Sequence, residues 1–246
     1  MPRLEALRND AAVLRQMLRG MPRSASHAQN LQSFYGAQAG DYDRFRERLL
    51  SGRQELISRL LAQLPPQARI VELGGGTGRN LDFFGERLGD VAGFDLVDLC
   101  PALLDRARER IARYPQVRMV EADATTYTPA APVDCVYFSY SLTMIPDWRV
   151  ALSNALAMLK PGGLLGVVDF YTSAAQPAPG LVRHNVFTRQ FWPRWFAHDG
   201  VRLDPAHLQA LRQRVPRHEL AEHRAAVPYL PLIRVPYYVF VGRRPE

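Results

Sequence analysis

Lysine is almost missing from this chain: Lys160 is the only one among 31 basic residues. Its scarcity excludes a nucleotide-binding loop of the GxxxxGK[ST] kind, which needs a lysine directly after its last glycine. The net charge of +7 therefore rests on arginine. Cysteine is scarce as well. Cys100 and Cys135 stand far apart with no metal-ligand spacing, which predicts reduced thiols, no disulfide and no metal centre. Long apolar runs are also lacking: the hydrophobic stretches are short and broken by charge, and the first residues have no apolar core of a signal peptide. A soluble, cytoplasmic protein is expected. No zinc-finger spacing, RNP-like aromatic motif or long basic run points to nucleic acid, so no nucleic-acid partner is expected. The basic balance otherwise suits an anionic membrane face or an ordinary solvated surface, and composition does not choose between them.

What is present suffices for one core. At 246 residues and 47% hydrophobic content the chain reads as one domain with appendages. Residues 1–64 form N-terminal helices and a lid, and 65–246 form a cofactor-binding domain with an insert at 172–218. Leu4, Leu7, Ala11, Leu14 and Leu18 recur at helical spacing between arginines, so 3–19 is an amphipathic helix that packs on the domain or lies on a membrane. Aromatics beside glycines, Tyr35 before Gly36 and Tyr42 after Gly40, suggest the lid, and a helical stretch follows from 44 to 64. From Ile70 the pattern alternates strand and helix in the manner of a doubly wound α/β fold. Strands are expected at 68–73, 91–98, 117–121, 134–139 and 164–168, with helices at 78–87, 101–114 and 151–159. An irregular, aromatic-rich stretch follows, then a helix to about Arg214 and a closing antiparallel hairpin of 219–227 with 235–242.

The first strand ends in Val71-Glu72-Leu73-Gly74-Gly75-Gly76-Thr77-Gly78, and Asp98 follows Gly78 by twenty residues. Glycine lets the chain turn sharply from strand to helix and lets a ligand touch backbone, while an acid ending the next strand can take ribose hydroxyls. A dinucleotide fingerprint would carry a third glycine where Arg79 stands. A turn flanked by the carboxylates Glu72 and Asp98 suits a nucleoside ligand that carries positive charge and no phosphates, as S-adenosylmethionine does. Asp95, in the same strand as Asp98, is the rival for the ribose.

The glycine turn, Asp98-Leu99-Cys100-Pro101, Ala122-Asp123-Ala124, the turn at 159–163 and the terminal strand together resemble a class I methyltransferase, a Rossmann-like doubly wound sheet. A closer resemblance lies in 72–80, in Val97-Asp98-Leu99-Cys100-Pro101, in Ser139-Tyr140-Ser141-Leu142-Thr143-Met144-Ile145-Pro146-Asp147-Trp148 and in Val167-Val168-Asp169-Phe170-Tyr171. These segments are similar to the N-methyltransferases of betaine-lipid synthesis, which act on diacylglyceryl-homoserine.

That resemblance implies S-adenosylmethionine as cofactor and three successive methylations of the homoserine amine of a lipid. It also implies a protein peripheral to the inner face of the cell membrane, paired in function with the 3-amino-3-carboxypropyl transferase of the same pathway. Carried over residue by residue, Gly74, Gly76 and Gly78 shape the turn and Glu72 faces the methionine end. Asp98 takes the ribose, Asp123 with Ala124 the adenine, and Ser139 lines the methyl-transfer side. Tyr35, Tyr42 and Arg53 close over the methionine end. Tyr140 is expected to touch the substrate amine and His184 to accept a proton; Trp192, Trp195 and Phe196 receive acyl chains or simply cover the sheet. Methylation of phosphatidylethanolamine or of a soluble amine, and a non-catalytic lipid-surface module, are the rival readings.

Overall fold

The computed structural model describes residues 48–246 apart from Asp199 and Tyr229. The 3–19 helix, Tyr35 and Tyr42 lie outside the described residues. Seven strands form one sheet in the order β3-β2-β1-β4-β5-β7-β6. They are β1 (Arg69–Leu73), β2 (Gly93–Asp98), β3 (Val117–Glu121), β4 (Val133–Ser139), β5 (Leu159–Phe170), β6 (His218–Val227) and β7 (Leu230–Arg243). The first five pair in parallel; β7 runs antiparallel to β5 and to β6. Central strands are covered on both faces, so they read as continuous apolar runs rather than alternating ones: in β1 and β4 nearly every side chain is buried.

Among the described residues these α-helices accompany the sheet: α1 (Arg53–Leu61), α2 (Pro101–Ile111), α3 (Trp148–Met158), α4 (Val186–Ala197) and α5 (Ala206–Arg214). Leu56, Ile57 and Leu60 of α1 join one apolar core with Leu103, Leu104 and Ala107 of α2, while Ala151, Leu152 and Ala155 of α3 join a second with Leu208 and Leu211 of α5. Strand order reverses between β1 and β4, so the crevice at their carboxyl ends is where a doubly wound sheet holds a ligand. Cys100 and Cys135 are both buried, and no disulfide joins them. Among the described residues no helix is long and apolar enough to cross a membrane.

The expected strands and the hairpin are present, with three differences. Where a helix is expected at 78–87, the chain makes 3-10 turns over Arg79–Asp90 with a break at Gly85 (φ 56, ψ −138), because the two glycines at 85 and 89 weaken an α-helix there. Strand β5 begins directly at Leu159 instead of after the Lys160-Pro161-Gly162-Gly163 turn; Leu159 pairs with Val133 across a register shift that absorbs the turn. The aromatic stretch is not irregular. It forms α4, capped by the Asn185 side chain, which accepts from Thr188 N at 2.8 Å. Pro193 lies inside that helix and hides it from a propensity reading.

Candidate active site

The cleft at the carboxyl edge is built by four loops. The first is the glycine turn. Gly74 has φ 75, a left-handed conformation, and a Cβ there would sit 2.4 Å from Ser141 Cβ, so only glycine lets β1 leave the sheet this close to the loop after β4. The Gly74 and Gly75 N–H groups both donate to Val97 O, at 2.8 and 3.0 Å, which binds the turn to the end of β2.

Asp98 completes that joint. Its Oδ2 accepts from Gly76 N at 2.7 Å and its Oδ1 from Cys100 N at 2.8 Å. Asp95 is held elsewhere: Arg118 donates to both its carboxylate oxygens at 2.9 and 3.0 Å, and the Tyr127 hydroxyl donates to Oδ2 at 2.5 Å. Asp98 is thus the acid that faces the cleft, with Leu99 and Leu103 beside it. After β3, Asp123 Oδ1 accepts from both Thr125 N (2.8 Å) and Thr125 Oγ1 (2.7 Å), which fixes the loop and leaves the Ala124 N–H with no acceptor among the described residues.

The loop after β4 closes the cleft. Tyr140 stands in a left-handed backbone conformation, φ 54, which a non-glycine residue adopts only when its surroundings force it. Its N–H donates to Val168 O at 2.8 Å and its hydroxyl to Ser51 O at 2.5 Å, and its ring lies 4.5 Å from that of Phe170. Burial holds the phenol well above its ordinary pKa, so it remains protonated. Next, Ser141 Oγ donates to Leu73 O at 2.6 Å. Buried Asp169 then holds the short 3-10 turn Leu142–Met144 by accepting from Thr143 N (3.0 Å) and Thr143 Oγ1 (2.7 Å). Met144, Ile145, Pro146 and Asp147 finish the wall.

Six of the expected site residues therefore meet in one cleft: Gly74, Gly76, Asp98, Asp123, Ala124 and Tyr140. The others lie elsewhere. Gly78 ends the turn on the side away from the opening, at φ 69. Glu72 is wholly buried behind the turn, where Asn80 Nδ2 donates to its Oε1 at 2.5 Å and the Tyr137 hydroxyl acts on its charge. Ser139 is buried with an unpartnered Oγ, and Ser141 takes the cleft position, because the left-handed Tyr140 reverses the strand alternation at that point. Arg53 is buried at the start of α1; its Nε donates to Leu50 O at 3.2 Å and its charge acts on both Glu72 and Tyr140.

His184, the expected proton acceptor, does not line this cleft. His184 is buried against Tyr171, its Nδ1 accepts from Ser173 N at 3.0 Å, and burial pushes its imidazole down to about 4. It ties the segment after β5 to the start of α4. Trp192 and Phe196 are likewise interior: Trp192 Nε1 donates to Arg234 O at 3.2 Å, and Phe196 stacks on Phe170 at 4.7 Å. Trp195 is half-buried in the aromatic row of α4. Reading the sequence alone misses Leu99, Leu103, Thr125, Met144, Ile145, Pro146 and Asp147. Asp147 left a signal: it precedes α3 as a capping residue, yet makes no cap hydrogen bond and faces the cleft.

Two buried carboxyls make stability depend on pH. Burial pushes Glu72 from an ordinary 4.5 up to about 7 and Asp169 from 3.8 up to about 7. A folded pKa above the unfolded one means the folded chain holds the proton more tightly, so the stabilisation is complete below the unfolded value and is lost as pH rises through 7. The thermal midpoint is expected to fall between about pH 5 and pH 7 and to level off above about pH 8, and to fall less in Glu72→Gln, whose amide oxygen still accepts from Asn80. Equal slopes in melting curves of the two proteins would remove Glu72 as a source.

The chain matches the family model described as a methyltransferase domain over residues 42–223. It belongs to that methyltransferase-domain family. A trans-aconitate 2-methyltransferase of Methylobacterium radiotolerans is 32% identical over 58% of this chain and 52% of its own length. A 2-phytyl-1,4-naphtoquinone methyltransferase of Thermosynechococcus vestitus is 29% identical over 57% of this chain and 64% of its own. The chain thus spans about half to two thirds of the length of these curated relatives. The N-methyltransferase NodS of Bradyrhizobium japonicum, solved with S-adenosylhomocysteine, shares the fold at a TM-score of 0.60 and 18% identity over 82% of this chain and 87% of its own.

The residues present fit S-adenosylmethionine, the cofactor expected from the sequence. Among the described residues the cleft lining holds three carboxylates, Asp98, Asp123 and Asp147, and no lysine, arginine or histidine, although the chain as a whole is basic. Such a lining favours a cationic ligand without phosphates. Asp98 can receive a diol, the Ala124 N–H and the Asp123 carboxylate offer a donor and an acceptor side by side for a purine edge, and Leu99, Met144 and Ile145 supply apolar contact for its faces.

Proposed function

We propose that this methyltransferase-domain protein methylates nitrogen, and that its acceptor is the homoserine amine of diacylglyceryl-homoserine, taken through three methylations to a betaine lipid. The observation that carries the reading is the cleft itself: acidic and apolar in a basic protein, closed by Tyr140 in a forced conformation. A tricarboxylate such as trans-aconitate would meet Asp98, Asp123 and Asp147 with no cation among the described lining residues, and a cationic acceptor group would not. The family-specific segment 139–148 supplies Tyr140, Ser141 and the wall from Met144 to Asp147, and it is the segment most similar to the betaine-lipid N-methyltransferases.

S-adenosylmethionine supplies an electrophilic methyl on its sulfonium. The chain's part is to hold the amine neutral, oriented and shielded from water. Tyr140 fits the orienting role, because its hydroxyl proton is committed to Ser51 O and the oxygen lone pairs remain for an amine N–H. Its ring adds a surface that tolerates the cation formed at each methylation.

Tyr140→Phe is expected to lower kcat about tenfold, by loss of one orienting hydrogen bond, while leaving cofactor affinity nearly unchanged in a calorimetric titration. An equal fall in both quantities would assign Tyr140 to the cofactor side instead. The reading as a whole is tested by mass spectrometry of lipid after incubation with S-adenosylmethionine and diacylglyceryl-homoserine in mixed micelles. Gains of one, two and three methyl groups support it. No gain from a protein that binds the cofactor refutes this acceptor and directs the same assay to phosphatidylethanolamine and soluble amines.

A further inference from the structure

Four large apolar side chains are exposed among the described residues, and three of them, Val182, Val186 and Phe187, fall together at the start of α4. Val186 is 65% and Phe187 57% exposed. Water-facing side chains of this size, clustered, mark a contact surface more often than singly scattered ones do. Phe187 is the outermost rung of a row along one helix face: its ring stacks on Phe191 at 5.2 Å, and Phe191 stacks on Trp195 at 5.6 Å. The opposite face of α4 is anchored in the core by Trp192 and Phe196. Phe187 is therefore the exposed end of a row whose other rings, Phe191 and Trp195, pack partly against the core.

The charge around it is mostly positive: the one acid bonded to it is Glu222, whose carboxylate accepts from Val182 N at 3.0 Å and from the Tyr171 hydroxyl at 2.6 Å. From Phe170 to His198 the sequence contains no aspartate or glutamate, whereas it contains Arg183, Arg189 and Arg194. Arg183, next to Val182, is exposed and makes no hydrogen bond or ion pair among the described residues. Apolar side chains at the tip with arginines in excess beside them suit a surface that is anionic outside and apolar just beneath. Contact with the cleft is continuous through rings: Phe196 stacks on Phe170, and Phe170 meets Tyr140, which lines the cleft.

The geometry points to the start of α4, with Val182, Val186 and Phe187 as the inserting residues and Arg183 and Arg189 beside them, as the face by which this protein docks on an anionic lipid bilayer. It rests on the lipid-amine reading above and gives that reading a direction: the bilayer lies on the α4 side, and the acceptor lipid reaches the cleft past Phe170. The N-terminal amphipathic helix and the three aromatics expected to receive acyl chains are not needed for this contact.

The test is co-sedimentation of the full chain with vesicles of phosphatidylcholine alone and of phosphatidylcholine mixed with an equal share of phosphatidylglycerol, with no acceptor lipid or cofactor present. Binding to the anionic vesicles that weakens with salt is expected, with roughly tenfold weaker partition for the double variant Val186→Glu/Phe187→Glu. Unchanged calorimetric binding of S-adenosylmethionine shows that the variant is folded. No binding of the wild-type chain, or equal binding by the variant, overturns the proposal. So does a wild-type dimer that the variant converts to a monomer in gel filtration, since the patch would then join two copies of the chain. Vesicle binding without methyl gain in the micelle assay refutes the acceptor and keeps the docking face; methyl gain in micelles without vesicle binding does the reverse.

Discussion

Replacing Asp98 by alanine is expected to weaken S-adenosylmethionine binding about a hundredfold. The carboxylate offers roughly four acceptor positions, so it can serve the Gly76 and Cys100 N–H groups and a ribose diol together. Hydrogen bonds to a charged group contribute about 1.5–3 kcal/mol each, and two lost to the diol amount to about 3 kcal/mol, a factor of about a hundred in affinity. The variant also leaves the Gly76 N–H without its acceptor, which loosens the turn against β2. The cofactor-free protein should still melt cooperatively, because the sheet and both cores are untouched. A calorimetric titration in which Asp98→Ala binds within about threefold of wild type would show that another group holds the ribose. Asp95 would not be that group, since Arg118 and Tyr127 already engage both of its oxygens.

Gly74→Ala should cost about 3 kcal/mol of stability and abolish cofactor binding. Two separable effects add. An alanine at φ 75 bears a left-handed penalty of about 1 kcal/mol, and its Cβ would stand 2.4 Å from Ser141 Cβ and 2.9 Å from Ser141 Oγ. Ser141 cannot move freely, because its hydroxyl donates to Leu73 O at 2.6 Å. Adding Ser141→Gly should relieve the clash and restore most of the stability, leaving the backbone penalty in place. Urea unfolding of the two single variants and the double variant measures the partition. A double variant no more stable than Gly74→Ala would mean that the clash is not the source.

Asp98 was legible because the unit containing it is local. Strand, glycine turn, helix and next strand follow one another in the chain, and short loops leave the acid little choice of position relative to the turn. The five parallel strands and the closing hairpin were legible for the same reason: apolar runs bounded by turn residues. Ser139 and Ser141 show where such reading fails. Counting outward along β4 favours Ser139, but one left-handed residue, Tyr140, changes which side chain reaches Gly74. That conformation is imposed by neighbours far away in sequence: Val168 and Ser51 bind its N–H and its hydroxyl. His184 and Trp192 misled for a related reason. Residue type suggests chemistry or lipid contact, whereas position relative to Ser173 and Arg234 makes both of them internal braces.

By itself the sequence determined the sheet, the glycine turn and the acid that faces it, because these depend on hydrophobic period, on glycine's backbone freedom and on contacts close along the chain. The tertiary structure alone decided which residues share the cleft, that the charged groups among its described lining residues are carboxylates, and which apolar side chains of α4 remain in water. Those properties arise from long-range packing: the return of β5 beside β4, the seating of α1 under Tyr140 and the burial of one face of α4 against the sheet bring together side chains that no local pattern relates.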